Sequence, residues 1–455
     1  MISSNIFRQY DIRGVVEGEL NDDTVRRIAR AFAAMAAEQG LHKVILGRDN
    51  RKSSPHLRDV VVDALVESGC QVIDLGTVVT PIFYFAARHL EIPAGLMITA
   101  SHNPGDYNGF KVLIGENTIY GEEIQRLYRL AESGEFISSG QGTVTVMDIT
   151  EDYINMIKQR IELGPRRLKL VVDCGNGTAS LFAPRLFREL GCEVVELYCD
   201  SDPDFPNHHP DPVKVENSQD LIREVKSQKA DLGIGLDGDG DRLGVVDGDG
   251  RIIWGDLLMI LFWKEILPCC SGVDCIVEVK CSQALIDEIT RMGGRPILYK
   301  TGHSLIKAKM KEMGAVFTGE MSGHMFFADE YYGYDDALYA AARLLRILSH
   351  SDRSLGELLA DIPRYHTTPE IRVKSSDTQK FQVVEKVLED FRKKYEVIDV
   401  DGARILFPDG WGLVRASNTG PELIVRCEAK TQEGLKRIEN ELYGFLNGLG
   451  LEVKM

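Results

Sequence analysis

Apolar positions along this chain follow two rhythms. In Leu181-Phe-Ala-Pro-Arg-Leu-Phe-Arg-Glu-Leu190 they recur at the three-to-four-residue spacing of one helix face. Elsewhere they form short unbroken runs bounded by polar residues, the mark of a buried strand. Three times the two rhythms join in the same way, a helical segment ending at a glycine before a short apolar run. The junctions read Gly69-Cys-Gln-Val-Ile-Asp-Leu-Gly76, Gly191-Cys-Glu-Val-Val-Glu-Leu-Tyr198 and Gly293-Gly-Arg-Pro-Ile-Leu-Tyr-Lys300. Glycine closes a helix readily because it adopts the left-handed conformation at little cost.

Each junction is followed by a further strand opening into a polar loop. Ala94-Gly-Leu-Met-Ile leads to Thr99-Ala-Ser-His-Asn-Pro104, Asp231-Leu-Gly-Ile-Gly-Leu to Asp237-Gly-Asp-Gly-Asp-Arg242, and Ala315-Val-Phe-Thr to Gly319-Glu-Met-Ser-Gly-His324. Strands alternating with helices predict parallel or mixed sheets, whose ligand sites lie beyond the strand ends. The pattern therefore predicts three related α/β domains with mixed sheets, over 1–148, 149–251 and 252–362, each offering one loop to a central cleft.

The remaining segment, 363–455, has a different order. A helix is expected over 377–394, then short strands near 397–400, 404–407, 412–416 and 422–428, and a last helix capped by Thr431. This is a C-terminal α+β domain with an antiparallel sheet. The stretch Ile362-Pro-Arg-Tyr-His-Thr-Thr-Pro369 reads as the linker into it.

Length supports several domains, since 455 residues exceed the ~100–200 of a usual domain. Lys and Arg number 53 against 69 Asp and Glu, a net charge of −16 that argues against a nucleic-acid partner. Nine cysteines are scattered without a Cys-x-x-Cys pair, as expected of reduced, partly buried thiols. The start of the chain lacks a signal-peptide pattern, and no apolar run nears the ~18 residues of a membrane span. A cytoplasmic protein without a membrane partner is expected.

The densest chemistry lies in Asp237-Gly-Asp-Gly-Asp-Arg242. Three carboxylates spaced by flexible glycines repel one another unless a cation intervenes, and hard oxygen ligands suit Mg²⁺. A calcium loop of the EF-hand type would need glycine sixth and glutamate twelfth, where Arg242 and Gly248 stand. The similar Asp247-Gly-Asp-Gly-Arg251 lies between Val-Val and Ile-Ile pairs and reads as a hairpin turn. Gly233, Gly235 and Gly238 match a dinucleotide fingerprint, but a strand-like Leu243-Gly-Val-Val follows where a helix is required.

Other loops leave two readings open. Ser101 is a nucleophile presented at a strand end or an ordinary turn residue; His102 beside it is expected to point elsewhere. No Gly-x-Ser-x-Gly frame surrounds Ser101. Arg415-Ala-Ser-Asn-Thr-Gly420 is a phosphate cradle of guanidinium, hydroxyls and amides, or a polar hairpin. Glu320, Ser322 and His324 could bind sugar hydroxyls and carry a proton, or simply line a loop.

Taken together, the four loops and the N-terminal Phe7-Arg-Gln-Tyr-Asp-Ile-Arg-Gly14 resemble the α-D-phosphohexomutase superfamily. The resemblance is closest to its bacterial phosphomannomutase/phosphoglucomutase branch, runs through the whole chain, and keeps the family's motif order. It implies that Ser101 carries the phosphoryl group and that Asp237, Asp239 and Asp241 bind Mg²⁺ together with it. Arg13, Lys111 and His324 are then the catalytic groups around the sugar oxygens. Glu320 and Ser322 would recognise sugar hydroxyls, and Arg415, Ser417, Asn418 and Thr419 the phosphate that is not transferred. Tyr10, His102, Arg242, Lys280 and His303 would support them; Gln9 stands where the family usually has glutamate.

The implied reaction interconverts hexose 1-phosphate and hexose 6-phosphate through a hexose 1,6-bisphosphate, for mannose and glucose. The alternatives are a phosphoglucosamine mutase, a Mg²⁺-dependent sugar phosphatase, or a sugar-phosphate sensor without turnover. Small sugar phosphates are the expected partners of a monomer or small homo-oligomer.

Overall fold

All three glycine junctions form as the pattern predicts. Helices Ser54–Glu67, Ala183–Glu189 and Gln283–Arg291 precede Gly69, Gly191 and Gly293, whose φ angles are +86°, +103° and +86°. Strands Gln71–Thr77, Glu193–Leu197 and Arg295–Tyr299 follow. A Cβ at such angles costs ~1–2 kcal/mol, which is why glycine ends these helices. The computed structural model describes residues 2–115, 117–136, 140–270, 272–376, 378–418 and 420–453. They divide into one unit of 1–265 with 303–360, and another of 266–302 with 361–455.

In the first unit, a mixed sheet runs in the order Ile12–Val15, Tyr107–Ile114, Ala94–Ile98, Lys43–Arg48, Gln71–Thr77 and Thr143–Val146. Its three neighbouring pairs from Ala94–Ile98 to Thr143–Val146 are parallel, and the two on the other side are antiparallel. Helix Asp22–Glu38, capped where the Asn21 side chain accepts from Thr24 N–H, buries Ile28 and Phe32 in one core with Leu46 and Leu96. Strand Ala94–Ile98 is buried at every position, which explains its unbroken apolar run.

A second sheet has the order Ile252–Ile253, Leu243–Asp247, Leu232–Leu236, Lys169–Asp173 and Glu193–Leu197. Gly233 lies where a Cβ would fall 2.7 Å from Leu221 of helix Gln219–Gln228. Gly233 thus serves close helix packing. The next strand returns antiparallel, as the rejection of a dinucleotide loop requires. At the following turn, Asp247 accepts from Asp249 and Arg251 amides and from the Arg251 guanidinium, a structural role as expected. A hairpin of Phe317–Gly319 and Met325–Phe327 completes the sheets of this unit.

The second unit contains the parallel pair Asp274–Glu278 and Arg295–Tyr299, and a six-stranded antiparallel sheet. That sheet is built on Glu422–Ala429, Gly410–Ala416, Ala403–Phe407 and Glu396–Ile398. Thr431 caps the last helix, Gln432–Gly448, accepting from Gly434 N–H at 3.0 Å. The preceding helix is Gln379–Phe391; Asp377, where it was expected to begin, lies outside the described residues. The expected linker does more than connect. His366–Thr367 pairs with Glu428 and Ala429, because its extended Thr-rich run meets the open edge of that strand. Among the described residues no helix is long and apolar enough to cross a membrane.

Candidate active site

Strands Ala94–Ile98 and Leu232–Leu236 release their loops toward each other. Ser101 adopts φ +50°, a left-handed conformation that residues with a Cβ seldom take. Thr99 Oγ1 accepts its N–H at 2.9 Å, and its own hydroxyl donates to Asp237 Oδ2 at 2.7 Å. His102 Nδ1 lies 3.1 Å from Ser101 Oγ, so the expectation that this ring points elsewhere is corrected. The left-handed turn at Ser101 swings the two side chains to the same side.

Gly238 explains how closely the loops meet. A Cβ there would sit 2.4 Å from the Ser101 carbonyl oxygen, a contact only backbone movement could relieve. Gly238→Ala is expected to lower turnover by roughly 10-fold or more through displacement of Ser101. Steady-state kinetics beside a thermal melt check this; unchanged kcat would show that the loops need not touch.

The three aspartates are 0%, 0% and 1% exposed, and one oxygen from each falls within a 4.8 Å cluster. Asp237 Oδ1 accepts the Asp241 and Arg242 amides. Asp239 Oδ2 accepts from Lys111 Nζ at 2.9 Å and from Thr80 Oγ1 at 2.6 Å. Its Oδ1 is buried with no hydrogen-bond partner among the described residues. Burial, with the charges of Asp241 and Asp239, pushes the Asp237 carboxyl well above the usual carboxylate range. An all-oxygen, like-charged cluster with an orphaned oxygen fits a hard divalent cation.

Cationic and polar groups surround this cluster. Lys111 pairs with both Asp239 and Asp241, whose charges outweigh the effect of burial and hold its ammonium well above the ordinary lysine value. Arg13 pairs with Asp11 at 2.7 Å and donates to Asn103 Oδ1 on the Ser101 loop. His324 Nδ1 stands 2.9 Å from Glu320 and 3.1 Å from Ser322 Oγ, with Nε2 3.3 Å from Asp241. Burial opposes its charge, but Asp241 and Glu320 prevail and raise it to about 9. Arg242 reaches His324 and, at 3.4 Å, His102 Nε2. Burial, with Arg242 and Arg13, keeps His102 neutral. Tyr10 meets the His303 ring edge-on at 4.9 Å, and burial likewise holds His303 neutral.

The second unit gathers its own set. Lys280 Nζ lies 3.1 Å from Glu370 and 3.5 Å from Glu278. Glu278 accepts from Thr301 Oγ1, and Asp401 accepts both the Thr301 amide and Arg415 Nε at 3.0 Å. Asn418 Nδ2 reaches the Thr301 carbonyl, and Ser417 Oγ accepts from Gly420 N–H. Thr419 lies outside the described residues.

Lys280 above all, with Arg372, depresses Glu370 to about 2. A depressed carboxylate stabilises the fold above its unfolded value of 4.5 and loses that contribution as pH falls toward 2. Glu370→Gln should therefore destabilise at pH 7 by on the order of 2–3 kcal/mol, the difference falling to roughly half at pH 3. Denaturant melts at the two pH values check this; a pH-independent difference would exclude the ion pair as cause.

Several contributors escape the motifs. Thr80 sits just past strand Gln71–Thr77 and binds Asp239 through both its hydroxyl and its amide. The strand-exit rule that singled out Ser101 applies equally to it. Lys307 and Asp335, a buried pair at 2.9 Å beside His303, carry no local signature, nor does Lys380, which grips the Ser417 and Gly420 carbonyls.

Comparison with known proteins settles the family. Models of the phosphoglucomutase/phosphomannomutase alpha/beta/alpha domains I, II and III match residues 4–138, 151–250 and 254–365. The model of the family's C-terminal domain matches 370–444. The chain belongs to the phosphoglucomutase/phosphomannomutase family. A phosphomannomutase/phosphoglucomutase of Pseudomonas aeruginosa is 47% identical over 439 residues, 96% of this chain and 94% of that one. A phosphoglucomutase of Neisseria meningitidis is 46% identical, covering 97% and 96%. A phosphoglucomutase/phosphomannomutase family protein of Burkholderia thailandensis has a crystal structure with TM-score 0.93, 43% identity and 98% coverage of both chains. Phosphoglucomutase/phosphomannomutase family members use a metal ion, and the aspartate cluster offers it a site.

Proposed function

We propose that this enzyme interconverts hexose 1-phosphate and hexose 6-phosphate, of mannose and glucose, through a phosphorylated Ser101. The observation that carries the reading is the Ser101 hydroxyl held 2.7 Å from an aspartate of a buried, cation-ready cluster. The names of relatives matching nearly the whole chain support the substrate class. The Pseudomonas relative's name joins both sugars, and the Neisseria relative's names glucose alone.

In the forward half, a sugar hydroxyl attacks the phosphorus of phospho-Ser101. The bond from phosphorus to Ser101 Oγ breaks, one to the sugar oxygen forms, and the hydroxyl proton passes to a base. The product is a hexose 1,6-bisphosphate. After it turns over, Ser101 Oγ attacks the other phosphate, releases the product hexose phosphate and regains its phosphoryl group. Asp237, Asp239 and Asp241 would hold Mg²⁺, which supplies positive charge beside the transferring phosphoryl oxygens.

Lys111 and Arg13 add fixed positive charge, and His324 is the proton donor toward a sugar oxygen. Glu320 and Ser322 would accept and donate to sugar hydroxyls, with Arg242, His102, Tyr10 and His303 shaping the same region. Arg415, Ser417, Asn418 and Thr419, with Lys280, would bind the phosphate not being transferred. The bisphosphate serves as intermediate and as activator of dephosphorylated protein. The four segments 1–148, 149–251, 252–362 and 363–455 are the domains of this reading. A cytoplasmic monomer or small homo-oligomer completes it.

The test is turnover of mannose 1-phosphate, glucose 1-phosphate and glucosamine 6-phosphate with Mg²⁺ and a trace of glucose 1,6-bisphosphate. Mannose 6-phosphate and glucose 6-phosphate are expected without inorganic phosphate. Steady release of inorganic phosphate would replace the reading with a phosphatase. Preference for the amino sugar would replace it with a phosphoglucosamine mutase, and no turnover with a sensor.

A further inference from the structure

Behind the Ser101 loop lies a buried guanidinium that none of the expected motifs contains. Arg51 is 1% exposed and follows strand Lys43–Arg48. One terminal nitrogen donates to the Pro104 and Tyr107 carbonyls at 2.6 and 3.0 Å. The other donates to the Ser101 and Asn103 carbonyls at 2.8 and 2.6 Å. Asp49 pairs with it at 3.2 Å and is itself held by Ser54 Oγ–H and the Arg51 amide. Phe205 stands 5.7 Å from the guanidinium carbon. The carbonyl of His102, the one oxygen of 101–104 that Arg51 does not take, accepts from His209 Nε2–H.

We infer that Arg51, seconded by His209, is a positioning residue for phosphoryl transfer, clamping the Ser101 loop by its carbonyl oxygens. This rests on the proposed role of Ser101. The clamp has two physical effects. It fixes Ser101 in its left-handed conformation, which would otherwise relax because a side chain makes it unfavourable. It also engages five carbonyl oxygens with hydrogen-bond donors, so their partial negative charge is offset where a phosphoryl group would arrive. A guanidinium suits this work because its planar fork reaches four acceptors at once; an ammonium on a flexible stem cannot span them.

The test compares Arg51→Lys and His209→Leu with the parent and with Ser101→Ala in the mutase assay. Arg51→Lys should lower kcat roughly 10- to 100-fold, as a reacting group misplaced by ~1 Å does. His209→Leu should lose a smaller factor, about 3-fold, with one carbonyl released instead of four. In both, KM for glucose 1-phosphate should stay within about twofold, since only the transfer geometry is disturbed. A kcat near the parent's in both folded variants would overturn the clamp. So would a loss carried mainly by KM, which marks general loosening. Should Arg51→Lys fail to fold, His209→Leu decides on the same criteria. Full activity of Ser101→Ala would instead overturn the phosphoserine reading itself, so the two failures are distinguishable.

Discussion

Ser101→Ala is expected to lower mutase turnover by at least ~10³-fold, because it deletes the atom proposed to carry the phosphoryl group. The fold should tolerate it. Ser101 is buried, its N–H remains bonded to Thr99, and alanine suffers the same left-handed strain that serine already bears. The lost hydrogen bond to Asp237 is worth about 1 kcal/mol, a shift of roughly 1–2 °C in a thermal melt of a chain this size. Activity and melting temperature should therefore separate widely. The neighbouring groups offer no substitute: His102 is held neutral at 3.1 Å, but its ring belongs to the arrangement that orients Ser101 Oγ. Turnover within tenfold of the parent would remove Ser101 from the reaction.

Asp237→Asn should produce the second largest loss, ~10²–10³-fold in kcat, together with weaker Mg²⁺ activation. The substitution is isosteric, and the amide oxygen can still accept the Asp241 and Arg242 N–H groups. The other position changes from an acceptor of the Ser101 hydroxyl into a donor facing it. It also removes one of three negative charges from the cluster. Without metal that removal is a relief, since burial and the neighbouring carboxylates already drive Asp237 toward its neutral form. Metal-free Asp237→Asn should accordingly melt at or above the parent, while Mg²⁺ raises its melting temperature less. A variant that melts lower without metal and responds normally to Mg²⁺ would show that Asp237 serves packing.

The fold was legible where local rules decide. Gly69, Gly191 and Gly293 end helices because their φ angles need glycine, and Thr431 caps the last helix through a contact three residues away. Edges were harder. His366–Thr367 reads as linker because pairing with Glu428 and Ala429 depends on a strand edge some sixty residues on. Asp237, Asp239 and Asp241 suggested a cation site by charge alone. Ser101 did not, since a strand-exit serine becomes distinctive only when its left-handed angle and its bond to Asp237 are seen. Arg51 and Lys307 show the remaining gap. Each is a cation whose meaning comes from distant partners, four carbonyls in one case and Asp335 in the other.

The central claim is that the phosphoryl group resides on Ser101 during turnover. Protein incubated with glucose 1,6-bisphosphate and Mg²⁺, then digested and analysed by mass spectrometry, tests it most directly. The predicted result is one phosphate on the Ser101 hydroxyl, lost on addition of excess hexose 6-phosphate as bisphosphate forms. A phosphate on another side chain, or a product formed while Ser101 stays unmodified, would contradict it.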